Sequence, residues 1–469
     1  MSLVRICGLV LALGCSKAGP QAAADEGAAS DGASVSESDV VGEWSGTVSA
    51  GAAFIPVVLR IRKDEGVLAS ELDSPKQKLT GLPAGETRLE QGRLTITFPV
   101  IGGALSGVVS PGLIVGNWTQ AGRAMPIRLT PGPANFGSAS AATHRPQHPK
   151  PPFPYTQVPA KIPSADGVVL AGTFTVPNGE GPFPAVVLMS GSGPQDRDET
   201  MVGHKPFWVI ADHLSRNGIA VLRYDDRGTA SSTGSYSTAT LQDFAEDGAA
   251  AMAWTRARSE TSAVGYLGHS EGGYTAPLAQ RTQPGDFLVF IAPPAVAGDA
   301  ILIEQGRRIT EAEGGDAAMI ARQSSSTAAV MRLLKSGAPD DEIRGKLRAV
   351  LADNPDVPEP MVNTLTAQYL RPWFRGFVLH DPTADLQAID VPTLAMWGSR
   401  DLQVPPTQSV KPMKAAMGKN LDVRVFDGLN HLMQPTETGA VSEYGQIETT
   451  FSVVVLDAMT QWIQARPAE

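Results

Sequence analysis

Residues 264–274 read V-G-Y-L-G-H-S-E-G-G-Y, and this stretch decides the fold expected for most of the chain. Its apolar first residues are typical of a strand, and the apolar, Ala-containing segment after it is typical of a helix. Between them, Gly268, Ser270 and Gly272 form a G-x-S-x-G pattern, which predicts a sharp strand–turn–helix elbow with a serine at its apex. Glycine suits both flanks because strand and helix approach closely there. The elbow would expose the Ser270 hydroxyl as a nucleophile.

The composition is that of a globular protein with room for more than one domain. The chain has 469 residues, of which 42% are hydrophobic and 18% charged. Its formal net charge is −10 and it has no long basic run, which argues against nucleic acid as a partner. Both cysteines, Cys7 and Cys15, lie at the N-terminus. The rest of the chain therefore has no disulfide, no thiolate metal site and no cysteine nucleophile.

The first 15 residues have the features of a secretory signal. Arg5 precedes an apolar run over residues 6–14, and Cys15 follows a small residue. This pattern resembles the lipobox of a bacterial lipoprotein, which implies lipidation of Cys15 and attachment to a membrane. A non-lipidated signal with an incidental cysteine is the alternative. Either way the pattern predicts export, and the run is too short to span a bilayer.

Two segments follow the signal, and a third connects them to the domain that carries the elbow. Residues 16–38 are rich in Ala, Gly, Ser, Asp and Glu, which predicts a flexible tether. Residues 39–131 contain runs of alternating apolar and polar residues, which predict a small antiparallel β domain, either a sheet or a barrel. Its Trp44 and Trp118 are more typical of a core than of a ligand platform.

Residues 132–160 are rich in proline and are predicted to be a linker. Two histidines in this segment, His144 and His148, have no carboxylate or third histidine close by in the sequence. An extended proline-rich chain also holds metal ligands poorly. We therefore predict no metal site here.

Strand and helix patterns alternate over residues 161–467, which predicts an α/β domain with helices on both faces of a sheet. A long insertion at about 295–390 has helical patterns and is expected to form a cap over the active site. Within it, Trp373 and Phe374 are candidates for lining a substrate pocket. Packing of the cap on the core explains these aromatic residues equally well.

The order of these elements resembles the α/β-hydrolase fold from residue 161 to the end of the chain. Three motifs are similar to a narrower bacterial group of serine esterases: S-G-S-G-P-Q-D-R-D from Ser190, Y-D-D-R-G from Tyr224, and G-H-S-E-G-G around Ser270. Some esterases of this kind carry a small β domain before the hydrolase domain. The resemblance implies an acyl-transfer enzyme with a serine nucleophile.

The resemblance also implies a catalytic triad in the chain order Ser270, Asp401, His431. Asp401 follows a strand pattern at 392–397, where the family carries its acid, and His431 follows the last strand pattern. A serine hydroxyl is a poor nucleophile near neutral pH, so His431 would accept its proton and Asp401 would orient the imidazole. The alternatives are a turn or helix-capping role for Asp401 and an ordinary surface loop for His431.

An oxyanion hole needs two backbone amides near the nucleophile. The expected donors are the amide of Glu271, directly after the nucleophile, and that of Ser192, in the loop after the first buried strand. Arg227 is expected to pair with Asp225, Asp226 or the loop 195–198 and to brace the oxyanion loop. Binding of a substrate carboxylate is the alternative role for Arg227.

Together these features predict an exported serine hydrolase that cleaves carboxylic esters through an acyl-enzyme, with no metal or organic cofactor. Two alternatives remain open. A peptidase or thioesterase would use the same residues. A lipoprotein of the cell envelope would instead bind a ligand through its β domain and carry the hydrolase domain as an inert scaffold.

Overall fold

A computed structural model describes residues 35–50, 53–64, 66–74, 79–110, 112–120, 123–132, 145–354, 357 and 359–466. The chain divides into two compact units. One lies within Ser16–His144 and includes Pro358–Met361, and the other consists mainly of Arg145–Val357 and Val362–Glu469. The predicted signal with Cys15, most of the predicted tether, and His144 lie outside the described residues.

The first unit is a nine-stranded antiparallel sheet, as the alternating pattern predicts. Its strands are β1 (Gly42–Ala50), β2 (Ala53–Asp64), β3 (Val67–Ser74), β4 (Leu79–Pro83), β5 (Glu86–Glu90), β6 (Arg93–Phe98), β7 (Gly103–Ser110), β8 (Leu113–Gln120) and β9 (Arg123–Pro131). They are arranged in the order β4-β3-β2-β1-β9-β8-β7-β6-β5. The sheet curls so that Thr87 of β5 donates a hydrogen bond of 2.8 Å to Ser70 of β3. Trp44 and Trp118 are buried in its core.

The second unit has an eight-stranded sheet in the order β10-β11-β13-β12-β14-β15-β16-β17. The strands are β10 (Tyr155–Pro163), β11 (Val169–Pro177), β12 (Phe183–Met189), β13 (Ala220–Tyr224), β14 (Thr261–His269), β15 (Leu288–Ile291), β16 (Thr393–Gly398) and β17 (Leu421–Phe426). The first three in sheet order pair antiparallel, and the strands from β13 to β17 run parallel. The five strands β12 to β16 are mostly buried on both faces, which explains their largely apolar sequences.

Within the described residues, five helices accompany the sheet and six form the insertion between β15 and β16. The five are α1 (Pro206–Arg216), α2 (Leu241–Arg256), α3 (Gly272–Thr282), α10 (Pro406–Met417) and α11 (Val453–Gln464). The insertion comprises α4 (Gly298–Ala312), α5 (Ala317–Leu334), α6 (Asp340–Ala352), α7 (Glu359–Tyr369), α8 (Pro372–Leu379) and α9 (Thr383–Gln387). These positions match the predicted cap at 295–390. The fold class predicted from the sequence is confirmed. No helix within the described ranges is long and apolar enough to cross a membrane.

The predicted boundary at residue 160 is wrong. Strand β10 begins at Tyr155 and pairs with β11 along its whole length, and the unit itself begins at Arg145. The prolines of this segment had suggested a linker. They are tolerated because β10 is an edge strand, where every second backbone amide faces away from the sheet and needs no strand partner.

Candidate active site

The elbow between β14 and α3 has the strained geometry that its sequence predicts. Ser270 adopts a positive φ of 52°, and its amide donates to the carbonyl of Ile291 at 2.9 Å. A Cβ atom on Gly268 would lie 2.4 Å from the carbonyl oxygen of Gly272, and one on Gly272 would lie 2.5 Å from that of Met189. Both positions therefore exclude any side chain. Ser270 is held at the carboxyl edge of the sheet in a conformation that a non-glycine residue rarely adopts.

Asp401 and His431 meet at the same edge of the sheet. Nδ1 of His431 lies 2.8 Å from Oδ2 of Asp401, and both residues are buried. The other oxygen of Asp401 accepts the amides of Gln403 at 2.9 Å and Val404 at 2.8 Å. With its carboxylate fixed in this way, Asp401 orients the imidazole and selects the tautomer with hydrogen on Nδ1.

The loop that carries His431 is fixed from two sides. Gly398, at the end of β16, lets it pass, because a Cβ there would lie 2.1 Å from the carbonyl oxygen of Leu429. The amide of Arg400 donates to the same carbonyl at 2.9 Å. Inside the loop, Asn430 Oδ1 accepts two backbone amides, each at 3.0 Å. The acid loop and the base loop therefore pack as one structure.

His431 also lies beside the elbow. Its carbonyl oxygen is 3.3 Å from Nε2 of His269, and the two imidazole centroids are 5.0 Å apart. His269 directly precedes Ser270 in the chain. The Ser270 hydroxyl itself has no hydrogen-bond partner among the described residues. The structure thus joins Asp401 to His431 directly and places His431 next to the elbow.

The two predicted oxyanion donors are linked through a side chain. Ser192 Oγ donates to Oε2 of Glu271 at 2.9 Å. In the same loop, the Gly191 amide is already committed to Glu199 at 2.7 Å. The amides of Ser192 and Glu271 donate to no acceptor in the described part of the chain. Both therefore remain available for a developing oxyanion.

The carboxyl group of Glu271 was missed by the sequence reasoning, which used only the amide of this residue. Its Oε1 accepts a hydrogen bond of 2.8 Å from Nε1 of Trp373. Burial raises the pKa of Glu271 to about 7, against the lowering effect of the hydrogen bonds from Trp373 and Ser192. The available signal was the position of this glutamate directly after the elbow serine. The turn buries residue 271, so its carboxyl group needs hydrogen-bond donors from neighbouring segments.

A small polar pocket lies beside the oxyanion loop. Its lining includes two buried carboxyl groups, Asp226 and Glu271. The remaining lining residues are Met189, Ser190, Gly191, Gly193, Tyr224, Phe244 and Thr275. Burial raises the pKa of Asp226 well above its ordinary value, although Gln195 and Ser190 donate to it. No group of three or more potential metal ligands occurs in the described ranges.

The predicted pocket residues Trp373 and Phe374 do not line this pocket. Both are buried in the aromatic packing of the cap, where Trp373 contacts Tyr236, Phe374 and Phe377 at centroid distances of 5.9–6.2 Å. Trp373 reaches the site only through its indole N–H. The structure therefore shows the packing of the cap that the sequence offered as the alternative for these two residues, and their role in a substrate pocket stays a prediction.

The predicted partners of Arg227 are also wrong. Its guanidinium binds Asp247 through Nε at 2.7 Å and Nη2 at 2.8 Å, and Asp243 through Nη1 at 2.8 Å. Both aspartates lie on α2, so Arg227 fastens this helix to the strand end at β13. The oxyanion loop is braced by other groups. Arg197 forms an ion pair of 2.7 Å with Asp225, and the carboxylate of Asp226 accepts from Ser190 and Gln195, each at 2.8 Å.

These features define a protein of the α/β-hydrolase fold with a serine elbow and an adjoining Asp–His pair. Residues 166–427 match the family described as X-Pro dipeptidyl-peptidase (S15 family), and the chain belongs to that family. Esterase EstD of Thermotoga maritima is 30% identical over 297 residues, which are 63% of this chain and 65% of the esterase.

Two solved structures are more distant. An esterase of Pyrococcus furiosus is 15% identical with a TM-score of 0.41, and the match covers 66% of this chain and 91% of that one. An esterase of Exiguobacterium antarcticum is 14% identical with a TM-score of 0.39, covering 66% of this chain and all of that one (100%).

Proposed function

We propose that the protein is a serine hydrolase that cleaves carboxylic esters through an acyl-enzyme on Ser270. The observation that carries the proposal is the hydrogen bond of 2.8 Å between Asp401 and His431 beside the elbow that presents Ser270. The similarity to an esterase that is 30% identical supports ester chemistry.

In this mechanism Ser270 Oγ attacks the ester carbonyl while Nε2 of His431 takes the hydroxyl proton. Catalytic hydrogen bonds are often long before substrate binds and shorten in the reactive complex. Asp401 stabilises the imidazolium that forms. The amides of Glu271 and Ser192 stabilise the tetrahedral oxyanion, at about 3–4 kcal/mol for a donor of this kind. His431 returns the proton to the leaving alcohol, and water then releases the acid by the same steps.

The test is a panel of p-nitrophenyl esters of increasing acyl length, assayed with wild type, Ser270→Ala and Ser259→Ala. Ser259 is exposed and lies just before β14, at the opposite end from the elbow. We expect Ser270→Ala to lower kcat by about 10⁴-fold or more, and Ser259→Ala to keep wild-type activity. A fluorophosphonate probe should label wild type and not Ser270→Ala. Retained activity in Ser270→Ala would overturn the mechanism, and an unlabelled, inactive wild type would favour an inert scaffold.

Cleavage of an X-Pro dipeptide from a peptide is the second candidate, favoured by the family match over residues 166–427. Comparing kcat/KM for glycyl-prolyl-p-nitroanilide with that for p-nitrophenyl acetate separates the two. A higher value for the anilide would establish the peptidase.

We also propose that Cys15 is the lipid attachment site of an envelope protein. The support is the apolar run that ends at Gly14-Cys15. Labelling cells with a fatty-acid analogue should tag wild type and not Cys15→Ala, and Cys15→Ala should move from the membrane to the soluble fraction. Equal fractionation of both forms without label would support a non-lipidated signal.

A further inference from the structure

A second histidine–carboxylate pair lies behind the elbow. His269 Nδ1 is 2.8 Å from Oε1 of Glu199, and both side chains are nearly inaccessible, with Glu199 at 1% and His269 at 5% exposure. Nε2 of His269 is 3.3 Å from the carbonyl oxygen of His431. Neither His269 nor Glu199 has a role in the acyl-transfer steps above.

The partners of His269 determine its protonation. A carbonyl oxygen can only accept, and so can Oε1 of an ionised Glu199, which also accepts the Gly191 amide at 2.7 Å. Each ring nitrogen therefore needs its own hydrogen to bond its partner, and an imidazole with hydrogen on both nitrogens is a cation. Glu199 supplies the opposite charge that a buried cation requires. Burial alone would lower the pKa of His269, but the charge and hydrogen bond of Glu199, the His431 carbonyl and the charge of Asp401 together raise it.

This pair connects three segments around the nucleophile. Glu199 holds the oxyanion loop through the Gly191 amide, and a Cβ on Gly191 would lie 3.3 Å from Cβ of Ser270. His269 is the last residue of β14 and holds the base loop through the carbonyl of His431. The His269–Glu199 pair therefore contacts both the oxyanion loop and the loop that carries His431, next to Ser270.

We propose that His269, as an imidazolium paired with Glu199, is a positioning residue that holds the Ser192 amide and the His431 imidazole in register with Ser270. The inference rests on the proposed serine-hydrolase function and assigns a role within it. The ionisable groups that face His269 are Glu199 from the loop after β12, Asp401 from the loop after β16 and His431 from the loop after β17. Loss of the His269 proton removes the donor to His431 and leaves the Glu199 charge buried without a counter-ion.

The test combines NMR with kinetics. The chain has seven histidines, so selective ¹⁵N-histidine labelling gives a small set of ring signals, and His269→Gln identifies the one to follow. In wild type we expect both ring nitrogens of His269 to carry hydrogen at pH 7 and to keep it above the pH at which an ordinary histidine is neutral. In Glu199→Gln the same ring should be neutral at pH 7. A neutral His269 ring in wild type at pH 7 would overturn the proposal, whatever the activity.

Kinetics separate positioning from general stability. Glu199→Gln should lower kcat by about 10- to 100-fold with KM changed by less than about threefold, and its kcat should decline at a lower pH than that of wild type. His213→Gln is the matched control, since His213 lies 3.3 Å from Asp457 away from the site, and it should match wild type. An unchanged kcat and pH profile in folded Glu199→Gln would contradict the proposal. If that variant does not fold, the wild-type NMR titration decides. Failure of the proposed function shows itself separately, as absent fluorophosphonate labelling of wild type.

Discussion

Nε1 of Trp373 donates a hydrogen bond of 2.8 Å to Oε1 of Glu271, which joins the cap to the residue directly after the elbow serine. The other oxygen of the same carboxyl group accepts from Ser192 in the oxyanion loop. One buried carboxyl group therefore contacts both the cap and the loop that supplies an oxyanion donor. The protonation of Glu271 is expected to affect the stability of the cap and the geometry of the oxyanion hole together.

Replacing Trp373 by Phe removes one donor to Glu271. A hydrogen bond to a charged group contributes about 1.5–3 kcal/mol and one to a neutral group about 1 kcal/mol. We expect Trp373→Phe to lower the free energy of unfolding more at pH 8.5 than at pH 5.5, because Glu271 is ionised only at the higher pH. Denaturant unfolding at both pH values measures this. Trp462→Phe is the control, since the buried indole N–H of Trp462 has no hydrogen-bond partner among the described residues. An equal loss at both pH values in Trp373→Phe would contradict the coupling.

Glu271 should make the protein less stable as pH rises. Its pKa is raised from an ordinary 4.5 to about 7, so between these values the folded protein keeps a proton that the unfolded chain has lost. The free energy of unfolding therefore falls across this window, by up to about 3 kcal/mol. Glu271→Gln cannot ionise and keeps an acceptor for Trp373, so its stability should fall less. Thermal unfolding at pH 4.5 and pH 8 measures the difference, with the exposed Glu342→Gln as control. A slope identical to wild type would disprove the assignment.

Asp401→Asn should abolish most of the activity without unfolding the protein. The amide matches the size of the carboxylate but presents the wrong partner to Nδ1 of His431, and a change of this kind costs about 10⁴-fold in kcat in a serine-protease triad. KM should change little. Ester hydrolysis and circular dichroism check both statements. Asp390→Asn, at an exposed position before β16, should behave as wild type. An Asp401→Asn enzyme within tenfold of wild type would show that Asp401 is a turn residue only.

Arg227→Met should destabilise the fold rather than alter substrate binding. It leaves the carboxylate of Asp247, with 1% side-chain exposure, without its guanidinium partner. Removing one partner of a buried ion pair costs about 3–5 kcal/mol. Arg256→Met, on the helix α2 that carries Asp247, is the control, because Arg256 and Asp286 are both solvent-exposed and their pair should contribute less than about 1 kcal/mol. If Arg227→Met instead raised KM at wild-type stability, a substrate-binding role would replace the structural one.

The features that the sequence predicted correctly are those that depend on residues close together in the chain. Strand and helix periods identified the two domains and the cap, and the requirement for residues without Cβ placed the elbow at Gly268 and Gly272, where the structure leaves no space for side chains. Strand β10 was missed because its prolines suggest a linker. Whether a proline-containing strand can form depends on its being at the edge of a sheet, and position within a sheet is not a local property.

The amino-acid sequence by itself determined the α/β class, the strained position of Ser270 and the candidates Asp401 and His431, because sterics and hydrophobic periodicity act over a few residues. Only the tertiary structure decided which charges pair. Arg227 binds Asp243 and Asp247, Glu199 meets His269 at a separation of 70 residues, and Glu271 meets Trp373 at 102. Their partners and protonation depend on burial and on approach between distant segments, since electrostatic energies inside a protein depend on distance and on exclusion of water.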